Sequence, residues 1–551
     1  MDIHTISRLN RFKDIILTLI KYGFGDIISR LDLQEKIFLI QPKKVSVTQK
    51  NTWERIRLVF EDLGPTFIKF GQLLSLRSDL IPEALLFELS KLQDDVHPEE
   101  FPAIKSQIEK SLKSPLGDIF SDFDPEPLAA ASLAQVHQAI LKNEKKVVAV
   151  KVQRPGIRQL IKNDLDIMAG FARHIHERIE PSQVYNLPLL VEEIRKLLLS
   201  ELNFEREARN IRLAQHNFKD FPTLYLPQVY PDYTSSRVLV MDLVKGIKLR
   251  EAYKLSVKEK ENLAKEGLKA CLQQILVDGF FHADPHPGNI FILDNGQFSF
   301  LDWGMVGRLT PGTRFKLISL IEGFIEKDSE LVMEVFLSLS QKNSLQQKDN
   351  LHRELIELLD DYHSIPIKDI NIGQLLTSMT NIFFQYDIHL QSDLAIMIKA
   401  MVTSEGSARL LCPDLNIIDE AQPFIRELVL KKYSPGILWR QVKKNINNYW
   451  HLYKEMPNQV NQILNKVEHG QLSIGFEHKR LEGLQKTLSQ IANRLTLGII
   501  TASMIIGSSM IITTGVAPFI LGYPALGLIG YLFSAFFGGW LALDIIRKRR
   551  D

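Results

Sequence analysis

Two cysteines in 551 residues, Cys271 and Cys412, stand far apart and in no metal-ligand spacing. That scarcity argues against a disulfide framework or a zinc module and fits a reducing compartment. Charge of one sign is also missing. Lys and Arg total 67 against 65 Asp and Glu, a net of +2, without the basic surplus of a nucleic-acid binder. No nucleic-acid partner is expected. There is no internal repeat and no low-complexity tract. Residues 1–30 offer no signal peptide, because Arg8, Arg11, Lys13 and Lys21 interrupt the apolar positions and no small-residue cleavage site follows. What is present is ordinary globular material, 45% apolar and 24% charged, in a chain long enough for two or three units.

Ile6, Leu9, Phe12, Ile16, Leu19 and Ile20 recur at helical spacing with basic residues between them. An amphipathic helix packed on the main domain is expected there, with a membrane-surface helix as the alternative. Residues 53–92 keep a helical pattern, broken at Gly64-Pro65 and Ile81-Pro82. The texture then changes. V-V-A-V-K-V at residues 147–152 reads as a buried strand, R-V-L-V-M-D-L-V at 237–244 as another. I-F-I-L-D-N-G-Q-F-S-F-L-D-W at 290–303 reads as a hairpin with Asn295-Gly296 at its turn. Helices are expected from residue 310 to about 490, with a break at Ser434-Pro435-Gly436.

Residues 495–516 carry no charge, and 525–546 carry only Asp544. At about 1.5 Å per residue each stretch spans a hydrocarbon core of roughly 30 Å. Arg494 precedes the pair, Arg547-Lys548-Arg549-Arg550 follows it, and the short loop between has no positive residue. Both ends, and with them the soluble body, are therefore expected on the cytoplasmic side of a two-pass anchor. Gly498, Ala502 and Gly507 in the first span, with Gly527, Gly530 and Ala535 in the second, allow close helix approach within a hairpin or between hairpins of a dimer.

The chemistry-bearing signal is F-H-A-D-P-H-P-G-N, in which His282, Asp284 and Asn289 stand as H-x-D-x-x-x-x-N. In phosphoryl transfer the Asp of such a loop orients the nucleophile's proton and the Asn holds magnesium. Thirteen residues past Asn289, after the hairpin, comes Asp302-Trp303-Gly304, a D-x-G whose carboxylate binds the magnesium that bridges phosphates. Lys151 ends a buried strand, as a phosphate-pairing lysine does, and needs an acidic partner there. Glu201, Glu205 and Glu207 in E-L-N-F-E-R-E are all available. Where a kinase would have its glycine-rich loop stands an alanine-rich one. Ala129, Ala130, Ala131, Ser132, Leu133, Ala134, Gln135, Val136 and His137 are the expected nucleotide-facing residues, in a stiffer loop. Met241 and Leu243 fall where an interlobe linker would meet adenine.

Together these residues resemble the ABC1/ADCK/UbiB family of atypical kinases, from about Arg8 to the C-terminus, and the two spans resemble those of its bacterial members. The family's K-x-G-Q signature is matched by Lys69-Phe70-Gly71-Gln72. Its strand lysine is matched by Lys151, its paired glutamate by Glu207, its catalytic-loop residues by Asp284 and Asn289, and its metal carboxylate by Asp302. Glu201 matches the first acid of the family's E-x-D, whose second acid is Asn203 here, so a charge role at that position is in doubt.

The resemblance implies an α+β, bilobal protein-kinase-like fold with a K-x-G-Q helical extension, a mostly helical C-lobe and a transmembrane helical hairpin. The expected divisions are residues 1–120, 121–245 with a helical insert, 246–490 and 495–546. Also implied are ATP and Mg2+ and an ATPase or kinase activity supporting ubiquinone biosynthesis at the bacterial inner membrane. Expected partners are membrane lipids, ubiquinone precursors extracted from or presented at the bilayer, and other proteins of that biosynthesis. A true phosphotransferase and a nucleotide-sensing scaffold are the alternatives.

Overall fold

The computed structural model describes residues 3–26, 50–75, 81–92, 96–178, 186–326, 328–339, 348–364, 372–386, 388, 390–415, 417–432 and 481–547. The expected break at Ser434-Pro435-Gly436, the helical stretch from there to 480 and the basic run Lys548-Arg549-Arg550 lie outside them. The chain divides into two compact units, Met1–Arg440 and Gln441–Asp551.

The first unit has a kinase-like fold. A four-stranded antiparallel sheet runs in the order β1-β2-β3-β4, from β1 (Phe120–Ala130), β2 (Ala134–Leu141), β3 (Val147–Gln153) and β4 (Val238–Asp242). The period-2 pattern of β3 sorts its side chains between two environments. Val148, Val150 and Val152 are fully buried against Ile104 and Ile108 of the Phe101–Leu112 helix. Ala149 and Lys151 face the other way. The register places Val136 opposite Lys151, Lys151 opposite Leu239 and Ala149 opposite Met241. One face of the sheet therefore presents Val136, Ala149, Lys151, Leu239 and Met241 toward the cleft.

Below the sheet, helices surround short strands: β5 (Ile247–Lys248), β6 (Phe280–His282), β7 (Ile290–Ile292), β8 (Phe298–Phe300) and β9 (Val306–Arg308). β7 and β8 form the expected hairpin, and Gly296 takes φ +81° at its turn, a conformation nearly free for glycine alone. β6 pairs with β9, so the strand entering the loop of Asp284 is tied to the one leaving Asp302. Both cysteines are free thiols.

The N-terminal segment packs as a helix on the main body. Ile15 and Ile16 of Ile3–Lys21 are buried, and Arg11 forms a two-pronged pair with the fully buried carboxylate of Asp164, 2.7 and 2.9 Å. The helices Thr52–Leu63 and Pro65–Leu74 meet at Gly64, φ +87°, where Pro65 opens the second helix. Gly71 lies directly against Leu92 and Phe60; no side chain fits between. This pair packs with the helical insert, Ile157–Arg178 and Leu187–Glu201, in one apolar cluster.

The second unit has two helices long and apolar enough to cross a membrane, with spans Ile491–Thr514 and Ala525–Ala542. Only 6% and 17% of these spans are buried. Core helices of a soluble unit bury most of their surface, so the exposure supports membrane association. The helices pair through small residues: a Cβ on Gly527 would stand 3.1 Å from the Ser508 carbonyl, and Gly530 lies against the Ser508 hydroxyl. Gly498 and Gly507 have open space around them.

Candidate active site

Two segments far apart in sequence converge on Lys151. The helix Phe204–Asn217 carries Glu207, 1% exposed, whose two oxygens each accept from Lys151 Nζ at 2.9 Å. Asp302 Oδ1 accepts from the same ammonium at 2.9 Å. Glu205 is exposed on that helix and Glu201 belongs to a different pair, so of the three available acids Glu207 partners the lysine. Asp302 keeps 41% of its side chain open to solvent and adopts φ +60°, an uncommon backbone state for a non-glycine residue and one that clusters at functional sites.

Electrostatics divides these groups. Burial works to lower the Lys151 pKa, but Asp302 and Glu207 overcome it and hold the ammonium above its ordinary value. Burial pushes Glu207 up to about 7, against the pull of Lys151. Burial acts on Asp302 in the same sense, yet Lys151 and then Lys69 hold its carboxyl well below the usual range. The surroundings thus favour the ionised form of Asp302 and oppose charge on Glu207.

The loop of Asp284 is fixed from beneath by His282, 3% exposed. Its Nδ1 accepts from the Asp284 amide at 3.1 Å, and its Nε2 lies 2.9 Å from the Leu301 carbonyl, to which it donates as the neutral tautomer. Burial lowers its pKa, consistent with a neutral ring. Asn289 Nδ2 donates to the Asp284 carbonyl at 3.3 Å, and the Leu301 amide donates to the Asn289 carbonyl at 2.8 Å. Trp303, fully buried, stacks on Phe280 and meets His282 edge-on, while Asn210 Nδ2 donates to its carbonyl at 2.9 Å. Asn210 lies one helical turn past Glu207, so one helix fastens both Lys151 and the Asp302 segment. A Cβ on Gly304 would stand 3.2 Å from Asp302 Oδ1, 3.5 Å from Glu201 Cγ and 3.8 Å from Glu207 Oε2. The acids thus surround one small space that only glycine leaves open.

Lys69 Nζ pairs with Glu201 Oε1 at 2.6 Å, both little exposed. This pair joins the Pro65–Leu74 helix to the end of the insert, beside Gly304. Gln72 Nε2 donates to the Leu92 carbonyl at 3.2 Å. Asn203 is the N-cap of the helix carrying Glu207 and accepts from the Glu205 amide at 3.1 Å. Asn and Asp cap equally well, which gives the neutral residue a structural role at the position of the family's second acid.

The alanine-rich loop turns with no residue at positive φ. Ala131 donates to the Ala134 carbonyl at 2.8 Å, and Arg154 Nε donates to the Ala131 carbonyl at 2.8 Å. Ala129 and Ala130 end β1. The Ser132 hydroxyl is buried and has no hydrogen-bond partner among the described residues. Ala134 and Val136 lie on the cleft face. The side chains of Gln135 and His137 lie on the other face. Gln135, fully buried, binds the backbone of Glu99, and the His137 ring contacts the Asp124 carbonyl. Leu133 is turned into the cluster of the N-terminal extension. At the linker Met241 is buried and Leu243 packs against the lower core, while Asp242 accepts from Tyr225 and Tyr230 at 2.9 and 2.7 Å. Ala149 and Leu239, on the cleft face beside Lys151, escaped the motif reading. Counting two residues back from Lys151 along the strand finds Ala149.

Among the described residues no cluster of three or more His, Cys, Asp or Glu could hold a metal alone. Magnesium instead takes one or two carboxylates together with phosphate oxygens and waters. The ionised, solvent-reaching Asp302 and the side-chain oxygen of Asn289 suit that requirement.

Three family models match: the ABC1 atypical kinase-like domain over residues 91–336, the UbiB helical domain over 355–416 and the ABC1/UbiB kinase-like C-terminal domain over 479–547. A protein of Clostridium pasteurianum, known as an uncharacterized protein in the hydrogenase 1 5′ region, is 30% identical over 98% of this chain and 99% of its own. A probable protein kinase UbiB of Cellvibrio japonicus is 31% identical over 85% and 86%, and one of Vibrio vulnificus 30% identical over 96% and 99%. A solved structure from Mycobacterium tuberculosis, described as the complex of Rv3197 with erythromycin, aligns with 64% of this chain and 90% of its own at 21% identity and a TM-score of 0.47. With relatives at this identity along nearly the whole length, the chain belongs to the ABC1/UbiB atypical kinase-like family.

Proposed function

We propose that this protein is a magnesium-dependent ATPase anchored in the bacterial inner membrane, with its catalytic body and both termini cytoplasmic, and that it supports ubiquinone biosynthesis. The observation carrying the nucleotide chemistry is the Lys151 ammonium, held at 2.9 Å by both Glu207 and Asp302 across 56 and 151 positions of sequence. Lys151, oriented by Glu207, would meet the inner phosphates of ATP. Asp302 and Asn289 would hold magnesium, which when bound neutralises charge on the phosphate oxygens. Asp284 would orient the attacking water. Rate enhancement then comes from placement and fixed charge, as phosphoryl transfer generally requires. Adenine would lie against Val136, Ala149, Leu239 and Met241, with the alanine-rich loop over the phosphates.

Water as the acceptor is favoured by the Lys69–Glu201 pair, which packs the K-x-G-Q helix beside Gly304, on ground that a protein substrate would otherwise need. The phosphotransferase alternative is supported by the relatives' name, probable protein kinase UbiB. That name is also the support for the link to ubiquinone, and the exposed apolar spans with basic flanks support the placement in the membrane. Action on isoprenoid precursors drawn from the bilayer follows as the substrate-level proposal.

The test is ATP turnover by liposome-reconstituted protein, with and without a quinone-precursor mimic, wild type against Asp302→Asn. Removing one preorganised charge typically lowers turnover by about 10²–10³-fold. Equal turnover in both proteins would sink the proposal. With γ-phosphate-labelled ATP, release of free phosphate supports hydrolysis, and label on an acceptor supports transfer.

A further inference from the structure

The helix Ser392–Leu411, wholly within the segment matched by the helical-domain model, reaches the site twice. Ser407 Oγ donates to the carbonyl of Pro285, the residue after Asp284, at 3.1 Å. Eight residues earlier, Lys399 Nζ donates to Ser75 Oγ at 3.0 Å. Ser75 ends the helix that carries Lys69 and itself donates to the Gln72 carbonyl at 2.7 Å. The Lys399 ammonium is thus delivered from below to the seam between the catalytic loop and the K-x-G-Q helix.

Lysine normally keeps its charged head in water. Here Lys399 is half-buried, on a stretch of helix whose neighbours Ile396, Met397, Ile398 and Ala400 are all buried. Burial lowers the Lys399 pKa, Asp284 acts to raise it and Lys69 to lower it further. Both charged groups of the site are therefore within electrostatic reach. Among the described residues no carboxylate lies within 4.0 Å of Nζ, and the Ser75 hydroxyl is its one hydrogen-bond partner. Lys151 has two carboxylates and Lys69 has Glu201. An ammonium with three donors, one of them spent on a hydroxyl, is suited to an anion. The anion that must come to this side of the loop is the phosphoryl group that Asp284 addresses.

We propose that Lys399 contacts the terminal phosphoryl group of bound ATP, beside Asp284 and opposite Lys151, as a cation supplied by the helical segment. This rests on the ATP reading above. Lys151, fixed by two acids, serves the inner phosphates; Lys399 serves the transferred one and leaves ADP untouched.

The experiment measures binding of fluorescently labelled ATP and ADP, with magnesium, to the full-length protein in liposomes, together with turnover. Lys399→Met is expected to bind ADP within about twofold of wild type and ATP roughly 10- to 100-fold more weakly, the worth of a charged hydrogen bond, with turnover reduced. Lys399→Arg should restore part of the preference for ATP. Ser75→Ala, which removes the hydroxyl and keeps the ammonium, should retain the preference. Undiminished ATP-over-ADP selectivity in Lys399→Met overturns the proposal. Equal losses for both nucleotides, or the same loss of selectivity in Ser75→Ala, overturn it too, because they describe a staple between helices. Failure of the wild type to bind or hydrolyse ATP is a separate result that removes the nucleotide reading itself.

Discussion

Replacing Lys151 with Met should leave the stability of this protein dependent on pH through Glu207 alone, in a direction opposite to ordinary acid denaturation. The substitution leaves Glu207, 1% exposed, beside Asp302 and Glu201 with no cation at its oxygens. Burial already pushes Glu207 up to about 7 with Lys151 present, so without the lysine the folded-state value rises further. A carboxyl whose folded pKa exceeds its unfolded one favours the folded state while protonated. That advantage is whole below the unfolded value, near 4.5, and is lost as pH climbs toward the folded value. The interval of at least 2.5 units corresponds to about 3 kcal/mol at 1.36 kcal/mol per unit. By the per-residue entropy of unfolding, a unit of this size moves about 1 °C per kcal/mol. Thermal melts of detergent-solubilised Lys151→Met at one scan rate should therefore fall by about 3 °C from pH 5 to pH 8, relative to the same protein with Glu207→Gln added. Adding Glu207→Gln to Lys151→Met should flatten the profile, since the titrating group is gone. A flat profile in the single variant, or an unchanged slope in the double, would refute the charge balance deduced for the cluster.

Other consequences are as direct. Gly304→Ala places a methyl 3.2 Å from Asp302 Oδ1, forcing a shift of a few tenths of an ångström; turnover should fall about tenfold, with a higher magnesium requirement, while the melting temperature barely moves. Asn203→Asp should keep the helix cap and full turnover. Asn203→Ala should lose about 1 kcal/mol locally, seen as faster hydrogen exchange at the amides of residues 205–207, and matching exchange in both variants would refute the capping role. Arg11→Ala strands the fully buried Asp164 and should destabilise the first unit by about 3–5 kcal/mol, read as earlier proteolysis of the N-terminal helix with nucleotide affinity unchanged.

The chain's own spacing announced the four polar residues at the centre because loop chemistry is local: H-x-D-x-x-x-x-N and D-x-G each lie within a few residues. The hairpin was equally legible, since Asn295-Gly296 names its turn. Choosing Glu207 over Glu201 and Glu205 needed three-dimensional information or family precedent, because three acids within seven positions are equivalent until the helix start at Phe204 is known. The side-chain directions of Gln135 and His137 were not legible in that run of residues, because a strand sends neighbours to opposite sides. Lys399 left no trace. It arrives from a helix whose amphipathic pattern is weak, more than a hundred residues beyond Asp284, and no local motif announces a long-range contact.

Trp303 holds the strand before Asp284 through its indole, against Phe280 and His282, and the helix of Glu207 through its backbone carbonyl, which accepts from Asn210. Those parts consequently cannot be adjusted one at a time. A change that loosens this rivet frees the loop of Asp284, the Asp302 carboxylate and the lysine's partner together, so variants here should be either competent or wholly idle, with few partially active forms between.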